Sequence, residues 1–544
     1  MRLTNDGLLD TASWERAGIA LPRFDRRAMT AATLAQPEWV HFGAGNIFRA
    51  FLAALQQDLL DAGLVKTGLI VAAGYDGDII DHAYLPFDKL CLAVTLKAGG
   101  SIEKRVLACI AEALRMDRQA DFDRLKAVFR APSLKMASLT ITEKGYSLVA
   151  PDGKPLPTVA ADFEAGPTGA IPQNYIARLT ALCYERFRAG KLPLALVSMD
   201  NCSHNGDKLF AAIETVAAAW TARGLADVAF LDYIRDSSTV AFPLTMIDKI
   251  TPQPDAEVQR TLTALGLEGM DGVRTAKGTL VTPFVNAEEA QYLVIEDRFP
   301  AGRLPLDKAG VMFTDRNTVD KVEKMKVCTC LNPLHTALAV FGCLLGYTKI
   351  SAEMQNPDLV KLIERIGYHE GLRVVVDPGI ISPKAFIDEV IQVRFPNPFV
   401  PDTPQRIATD TSQKIPIRFG ETIKAYMAGG TGGAKLSTTD LTFIPLVLAA
   451  WIRYLLGVND SGETFTVSPD PLYESLVKAL SGVKLGQSGP FHAILSPILA
   501  DKRIFAVDLY EAGLGERVES AFADMMAGHG AVAATLKRAL ATYA

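Results

Sequence analysis

The sequence has almost no excess of charge of either sign. Its 56 Lys and Arg against 61 Asp and Glu leave a formal net charge of −5 over 544 residues. That excludes the basic surplus which draws a chain to nucleic acid or to an anionic membrane. Long apolar runs are also missing. The nearest, LTFIPLVLAAWIRYLLG around residue 450, is broken by Pro445 and Arg453. It falls short of the roughly 20 apolar residues that span a bilayer, which predicts a buried helix instead. The opening residues MRLTNDGLLDTASWERAG lack the apolar core of a signal peptide. Cysteine is sparse, odd in number and scattered, at 91, 109, 183, 202, 328, 330 and 343. Such usage fits reduced thiols in a cytoplasmic protein and not a disulfide framework. There is no internal repeat, and AGGTGGAK at 428–435 is glycine-rich without the spacing of a phosphate-binding loop.

What is present is an alternation of two periodicities. WVHFG, GLIVAA, LCLAVTL, MASLTIT and LALVSMD read as strands. Between them NIFRAFLAALQQDLLDAG, QNYIARLTALCYERFRAG and NGDKLFAAIETVAAAWTARG read as amphipathic helices. Strands alternating with helices predict an α/β fold with a parallel sheet. After about residue 290 helical periodicity dominates, in VDKVEKMKV, HTALAVFGCLLGY, NPDLVKLIERIGYHEGLRVVV and AFIDEVIQVRF. A chain of this length exceeds one core. The expectation is a Rossmann-like domain over 1–295 and a mostly α-helical domain over 296–544, divided near the turn-rich RFPAGRLPLD.

HFGAGNIFRAF follows the strand WVHF and opens a helix. Gly43 would permit a tight turn, and Gly45 would let the amides of Gly43, Ala44, Gly45, Asn46 and Ile47 approach a pyrophosphate at the helix N-terminus. Phe48 stands where the third fingerprint glycine is usual, so a plain strand-to-helix turn is the competing reading. The next strand leads to Asp76 and Asp78, either of which could bind ribose hydroxyls. No arginine stands beside them for a 2′-phosphate, which favours NAD over NADP.

EKMKVCTCLNPLH at 323–335 packs an acid, two lysines, two cysteines, an asparagine and a histidine together. Cys328, Cys330 and His335 form C-x-C-x4-H, which matches no common zinc spacing, so no metal is expected. Core packing accounts for the cysteines, and Pro333 suits the first turn of a helix. Neither accounts for Lys326, Asn332 and His335, three polar groups entering an apolar helix that need partners. Hydride transfer to a carbonyl leaves an alkoxide to be held and protonated. A lysine can supply the proton and amide donors can hold the oxygen. Asn332 and His335 lie one turn apart and can share a face.

Taken together these motifs resemble the polyol-specific long-chain dehydrogenases, the mannitol dehydrogenase family, from about residue 37 to 460. HFGAGNIFRAF is similar to that family's GxGxFxR turn. TITEKGY (140–146), SMDNCSHNGDKL (198–209), FPLTMIDKITP (242–252) and RFPNPFVPDTPQRIATDTSQKIPIR (394–418) follow in the family's order. The resemblance implies Lys326 as general acid/base with Glu323 as its relay, Asn332 and Asn201 as oxyanion donors, and His335 orienting the substrate oxygen. It implies Asp248 near the nicotinamide, and Arg406 and Lys414 on substrate hydroxyls, with no zinc. The family's usual K-x4-N is here K-x5-N, so either the linker bulges by one residue or Lys324 takes the role. KVCTCLNPLHTALAVFGCLLGY looks more like the family's hexuronate-linked members, which interconvert D-fructuronate and D-mannonate, than like mannitol dehydrogenases.

Plainer readings stand beside these. Asn201 could cap the following helix, Asp248 and Lys249 could pair, Arg406 could pair with Asp402 or Asp410, and Lys414 could be solvated. A substrate carboxylate would want Arg406, Lys414 or Lys249. The sister reactions are tagaturonate reduction and polyol 2-oxidation. From other classes come an NAD-binding sensor without turnover and a zinc enzyme using Cys328, Cys330 and His335. The expected partners are NAD and a small sugar acid or polyol, with the chain a monomer or small homo-oligomer.

Overall fold

The computed structural model describes residues 1–430 and 435–542; 431–434, the centre of the glycine-rich stretch, lies outside the described residues. By internal contacts the chain forms two units, one of Met1–Lys97 with Ser101–Asp320, the other of Ala98–Gly100 with Lys321–Ala544. Residues 296–320 fall in the first unit because strand Met312–Thr314 pairs in parallel with Tyr292–Glu296.

The first unit is built on six strands: β1 Trp39–Phe42, β2 Leu69–Ala73, β3 Ile110–Arg115, β4 Met136–Leu139, β5 Leu194–Ser198 and β6 Val240–Ala241. They lie in the order β3-β2-β1-β4-β5-β6, every neighbouring pair parallel. WVHF and LIVAA are buried along their whole length, as strands covered by helices on both faces must be. Alternate residues of β1 divide between two cores. Trp39 packs with Phe48, Phe51 and Leu55, while Val40 and Phe42 pack with Leu125 and Phe129. Because the strand order reverses at β1, loops leaving the carboxyl ends on either side open a crevice there.

LCLAVTL forms a strand, Cys91–Leu96, but not in this sheet. It pairs antiparallel with Ile102–Leu107 and parallel with Phe284–Glu288 in a separate four-stranded sheet. Its expected place is taken by β3, which follows Leu107 almost directly and pairs with β2.

The regular elements of the second unit are all helices among its described residues, joined by loops that carry one isolated bridge, Val458 with Thr464. Its apolar helix Phe443–Tyr454 is buried at every position, and Arg453 is held inside by donating to the Val458 carbonyl at 2.7 Å. The helix starts against the buried Glu370 carboxylate, which accepts from the amides of Thr442, Phe443 and Ile444 at 2.6, 2.7 and 2.9 Å. Among the described residues one helix, Arg316–Leu344, is long and apolar enough to cross a membrane, and 78% of its most apolar window is buried. Four turns of this unit are wound as π-helix: Met325–Cys330, Arg365–Gly371, Val390–Arg394 and Pro416–Gly420. Such turns hold one residue more than an α-turn and recur at functional sites.

Candidate active site

At the end of β1, Gly43 has a φ of +134° and donates to the Ala72 carbonyl at 2.9 Å. A Cβ there would lie 2.5 Å from Thr140 Oγ1 and 3.0 Å from the Thr140 carbonyl oxygen, so only glycine fits between β1 and β4. At Gly45 a Cβ would meet nothing within 4 Å. The protein does not fill that space, and a phosphate approaching the amides could. Phe48, at the third-glycine place, stacks on His41 with ring centroids 4.6 Å apart and planes 9° apart. The helix therefore seats on the sheet through an aromatic ring where other fingerprints use bare backbone. His41 is wholly buried between Ser138 Oγ (2.7 Å from Nδ1) and Thr140 Oγ1 (3.2 Å from Nε2). Burial lowers its pKa to about 3, so the ring is neutral.

A hairpin far along the chain, Val273–Arg274 with Leu280–Val281, completes this end. Buried Arg49 donates from Nη2 to Asn46 Oδ1 at 2.8 Å and from Nη1 to the Thr282 carbonyl at 2.6 Å, tying the glycine turn to it. Thr275 Oγ1 donates to Asp76 Oδ2 at 2.7 Å. Asp78 accepts from the Ala276 amide at 3.2 Å and faces Arg115 at 3.4 Å. Between turn and hairpin lies a cavity of about 450 Å³, lined among others by Gly45, Asn46, Ile47, Thr251, Arg274 and Lys277. Amides at a helix start, open space over Gly45, two cations and a nearby carboxylate fit a dinucleotide: pyrophosphate at the amides and cations, ribose at Asp76. Of the residues expected from the sequence, Gly45, Asn46 and Ile47 line this cavity and Asp76 adjoins the hairpin through Thr275. Arg49, Arg274 and Lys277 were not among those expectations, although Arg49 sits in the quoted GxGxFxR pattern.

β5 ends in a second polar cluster. The Asp200 carboxylate accepts from Tyr146 Oη at 2.5 Å, Ser198 Oγ at 2.8 Å and the Cys202 amide at 3.0 Å. Buried Asn205 donates to Thr245 Oγ1 at 2.8 Å and to the Asp200 carbonyl at 3.1 Å. These bonds fix the turn that carries the exposed Asn201. Asn201 does not cap the next helix, since the residue before Asn205–Ala222 is His204, at φ +50°, with no side-chain cap. Asp248 ends a buried strand, Thr245–Asp248. Lys249 Nζ donates to the Glu288 carbonyl at 2.6 Å and to Gln291 Oε1 at 3.1 Å, so it is committed to that loop.

In the second unit, the π-turn Met325–Cys330 runs between the helices Arg316–Lys324 and Asn332–Leu344. The Leu331 amide reaches back to the Lys326 carbonyl at 3.1 Å, a five-residue bond. The widened turn takes up one residue between Lys326 and Asn332 without breaking the helix. Lys326 and Glu323 are half-buried, whereas Lys324 is exposed. Asn332 opens its helix, and its carbonyl accepts from Thr336 Oγ1 at 2.9 Å.

His335, one turn on, packs against Phe395 with ring centroids 5.0 Å apart. Its side chain is 14% exposed, and Nε2 stands 3.5 Å from Asp402 Oδ2 without hydrogen-bond alignment. Burial first, and then the field of Arg418, Arg406, Arg394 and Lys414, lowers its pKa to about 3. This imidazole is neutral and ringed by cations. Arg406 is paired with Asp402. Lys414 Nζ donates to the carbonyls of Thr409 and Ile407, the latter at 3.3 Å. Arg418 donates from Nη1 to Thr336 Oγ1 at 2.6 Å. Among the described residues no group of three or more His, Cys, Asp or Glu is placed to hold a metal ion.

Residues 37–308 match the family model of the mannitol dehydrogenase Rossmann domain, and residues 318–526 that of the mannitol dehydrogenase C-terminal domain. The chain is 51% identical over 540 residues to a protein described as D-mannonate oxidoreductase from Thermotoga maritima, covering 99% of this chain and 98% of that one. It is 28% identical over 462 residues to the D-mannonate oxidoreductase of Escherichia coli (strain K12), covering 82% and 87%. Among solved structures, the Pseudomonas fluorescens mannitol 2-dehydrogenase ternary complex with NAD and D-mannitol matches with a TM-score of 0.70 at 25% identity. That match covers 99% of this chain and 100% of the other.

Proposed function

The chain belongs to the mannitol dehydrogenase family, and on that premise we propose that Lys326 is the general acid/base of an NAD-dependent oxidoreductase interconverting D-fructuronate and D-mannonate. The near full-length match at 51% identity to a D-mannonate oxidoreductase is the observation that carries the substrate.

Bound nicotinamide supplies the hydride in one direction and accepts it in the other. The turn Gly43–Ile47 with Arg274 and Lys277 would hold the cofactor's pyrophosphate, and Asp76 would hold its ribose. Lys326 Nζ gives its proton to the carbonyl oxygen during reduction and takes one from the hydroxyl during oxidation. Glu323, one turn earlier, passes the replacement proton from solvent. The Asn332 carboxamide donates to the developing alkoxide, an interaction worth roughly 2–4 kcal/mol in comparable oxyanion sites. Neutral His335 can donate from one ring nitrogen and accept at the other, which suits orienting a hydroxyl. Arg406 keeps N–H groups beyond those on Asp402, and with Lys414 it meets substrate hydroxyls. Asn201 keeps its assignment as a second oxyanion donor and Asp248 as the aspartate beside the nicotinamide. Seven unpaired cysteines support a cytoplasmic location.

The test is loss of NADH absorbance with fructuronate, tagaturonate and fructose, for the wild type, Lys326→Ala and Lys324→Ala. Turnover should be greatest on fructuronate and fall by about 10²–10⁴-fold in Lys326→Ala alone. A comparable loss in Lys324→Ala, with Lys326→Ala active, would move the acid/base by two residues. Preference for tagaturonate or fructose would keep the chemistry and change the substrate.

A further inference from the structure

We propose that Arg418 binds the substrate's carboxylate and so selects a sugar acid over a neutral ketose or polyol. The inference rests on the reading above, which makes the substrate a hexuronate.

The sequence offers three cations for that anion, Lys249, Arg406 and Lys414, and each has another commitment. Lys249 is bound by the Glu288 carbonyl and Gln291. Arg406 already holds a carboxylate, that of Asp402. Lys414 gives two of its three N–H groups to backbone carbonyls and sits in the field of Asp410 and Asp470. Arg418 differs. Its one hydrogen-bond partner among the described residues is the neutral hydroxyl of Thr336, and no described carboxylate lies within ion-pair distance. Burial lowers its pKa to about 10, and no acidic group counteracts this.

Arg418 is half-buried; a guanidinium partly removed from water without a counter-charge carries a desolvation cost, and that cost is relieved when an anion arrives. The planar fork has N–H pairs to spare after Thr336, and their geometry matches a carboxylate held at two points. Its position also suits the substrate. Thr336, which accepts from Arg418, adjoins His335 and donates to the carbonyl of Asn332. Arg418 is also the cation whose field acts most strongly on His335. It is therefore one hydrogen bond removed from the helix turn assigned to the reacting oxygen. A uronate entering here neutralises Arg418, whereas a neutral polyol leaves it unpaired. That difference is a source of specificity against the neutral ligand.

The experiment uses the full chain as wild type, Arg418→Ala and Arg418→Lys, with kcat and KM measured for fructuronate, tagaturonate and fructose, and NADH affinity for each. In Arg418→Ala the uronate KM should rise roughly 100-fold, as for one partner of a hydrogen-bonded charge pair. The uronate kcat should fall less than KM rises, with fructose turnover and NADH affinity nearly unchanged. Arg418→Lys should recover part of the uronate KM. Millimolar guanidinium ion should restore uronate turnover to Arg418→Ala but not raise that of wild type, a rescue that a merely structural defect would not show. An unchanged uronate KM overturns the proposal. So does a matched fall in kcat on uronate and ketose without rescue, which would make Arg418 a positioning residue acting through Thr336 and Asn332. Where wild type does not turn over fructose, the split between KM and kcat and the guanidinium rescue decide. A wild type that reduces tagaturonate but not fructuronate changes the substrate named above, and the same comparison then tests Arg418 on tagaturonate. A wild type that accepts only fructose overturns both.

Discussion

Gly43 and Gly45 stand two residues apart in one turn, yet a methyl group added to each should fail in different ways. Alanine at Gly43 must adopt a φ of +134°, at a cost of about 1–3 kcal/mol. Its Cβ would also sit 2.5 Å from Thr140 Oγ1. Thr140 can turn its hydroxyl away only by giving up His41 Nε2, at roughly 1 kcal/mol, and its backbone oxygen at 3.0 Å cannot rotate at all. Strain, lost hydrogen bond and residual overlap together come to about 3–5 kcal/mol. If the turn holds its shape, that sum appears as lost stability, roughly 4–8 °C in the melting temperature of a unit this large. If the turn opens, it appears as weakened NADH binding of 100-fold or more, since about 1.4 kcal/mol is a factor of ten. Alanine at Gly45 carries neither burden, because its Cβ meets open space. Apo stability should hold or gain a few tenths of a kcal/mol, about the usual return for restricting an unfolded glycine. NADH affinity should nevertheless fall at least about tenfold, because the methyl occupies the approach of the pyrophosphate. Differential scanning calorimetry without ligand and fluorescence titration of NADH separate the two effects. A Gly43→Ala protein with wild-type melting and wild-type NADH affinity would refute the strain argument. Unchanged NADH affinity in Gly45→Ala would refute the placement of the cofactor.

Arg49→Met keeps the aliphatic stem and leaves the half-buried Asn46 Oδ1 and the buried Thr282 carbonyl without their donor, a loss of about 1–3 kcal/mol for the buried carbonyl and less for Asn46. The turn and the hairpin should loosen together, so NADH titration should show affinity reduced about tenfold or more, and unchanged affinity would mean that Arg49 does not hold the cavity's shape. His41 makes the first unit acid-labile with a definite sign. Its pKa falls from 6.5 to about 3 on folding, so the stability it confers is complete above pH 6.5 and is lost progressively as pH falls towards 3. At pH 5 the loss is roughly 2 kcal/mol, from about 1.5 pH units at 1.36 kcal/mol each. The unfolding free energies of wild type and His41→Gln, compared at pH 7 and pH 5, should therefore draw closer by that amount; a constant difference would show that the imidazole is not held neutral.

The nucleotide end shows how far local pattern reaches. The strand WVHF, its glycine turn and the following helix are written contiguously, and the buried runs LIVAA, MASL and LALVS announce a sheet covered on both faces. LCLAVTL carries the same signal and yet belongs to another sheet, because apolar composition specifies a strand and not its neighbours. Arg274 and Lys277 stand about 200 residues beyond Asp76, so no spacing rule could have brought them to the same cavity. The commitments of Lys249, Arg406 and Lys414 were equally illegible. Their acceptors are mostly backbone carbonyls, which every residue possesses and no sequence pattern marks.

The extra residue between Lys326 and Asn332 was visible in the sequence as a question of register. Whether a chain loops out, breaks or widens its helix at such a point depends on what packs around it. Here the second unit answers with a π-turn, one of four among its described residues. By itself the sequence determined the alternation of strands and helices, the glycine turn, and the set of side chains able to move a proton or hold an oxyanion, since these follow from local conformational preference and side-chain chemistry. Only the tertiary structure decided which of these candidate cations already have partners among the described residues. Arg418 is an ordinary arginine in the sequence and becomes a half-buried charge without a described carboxylate partner through the company the fold gives it, because desolvation and pairing depend on groups brought together across the chain.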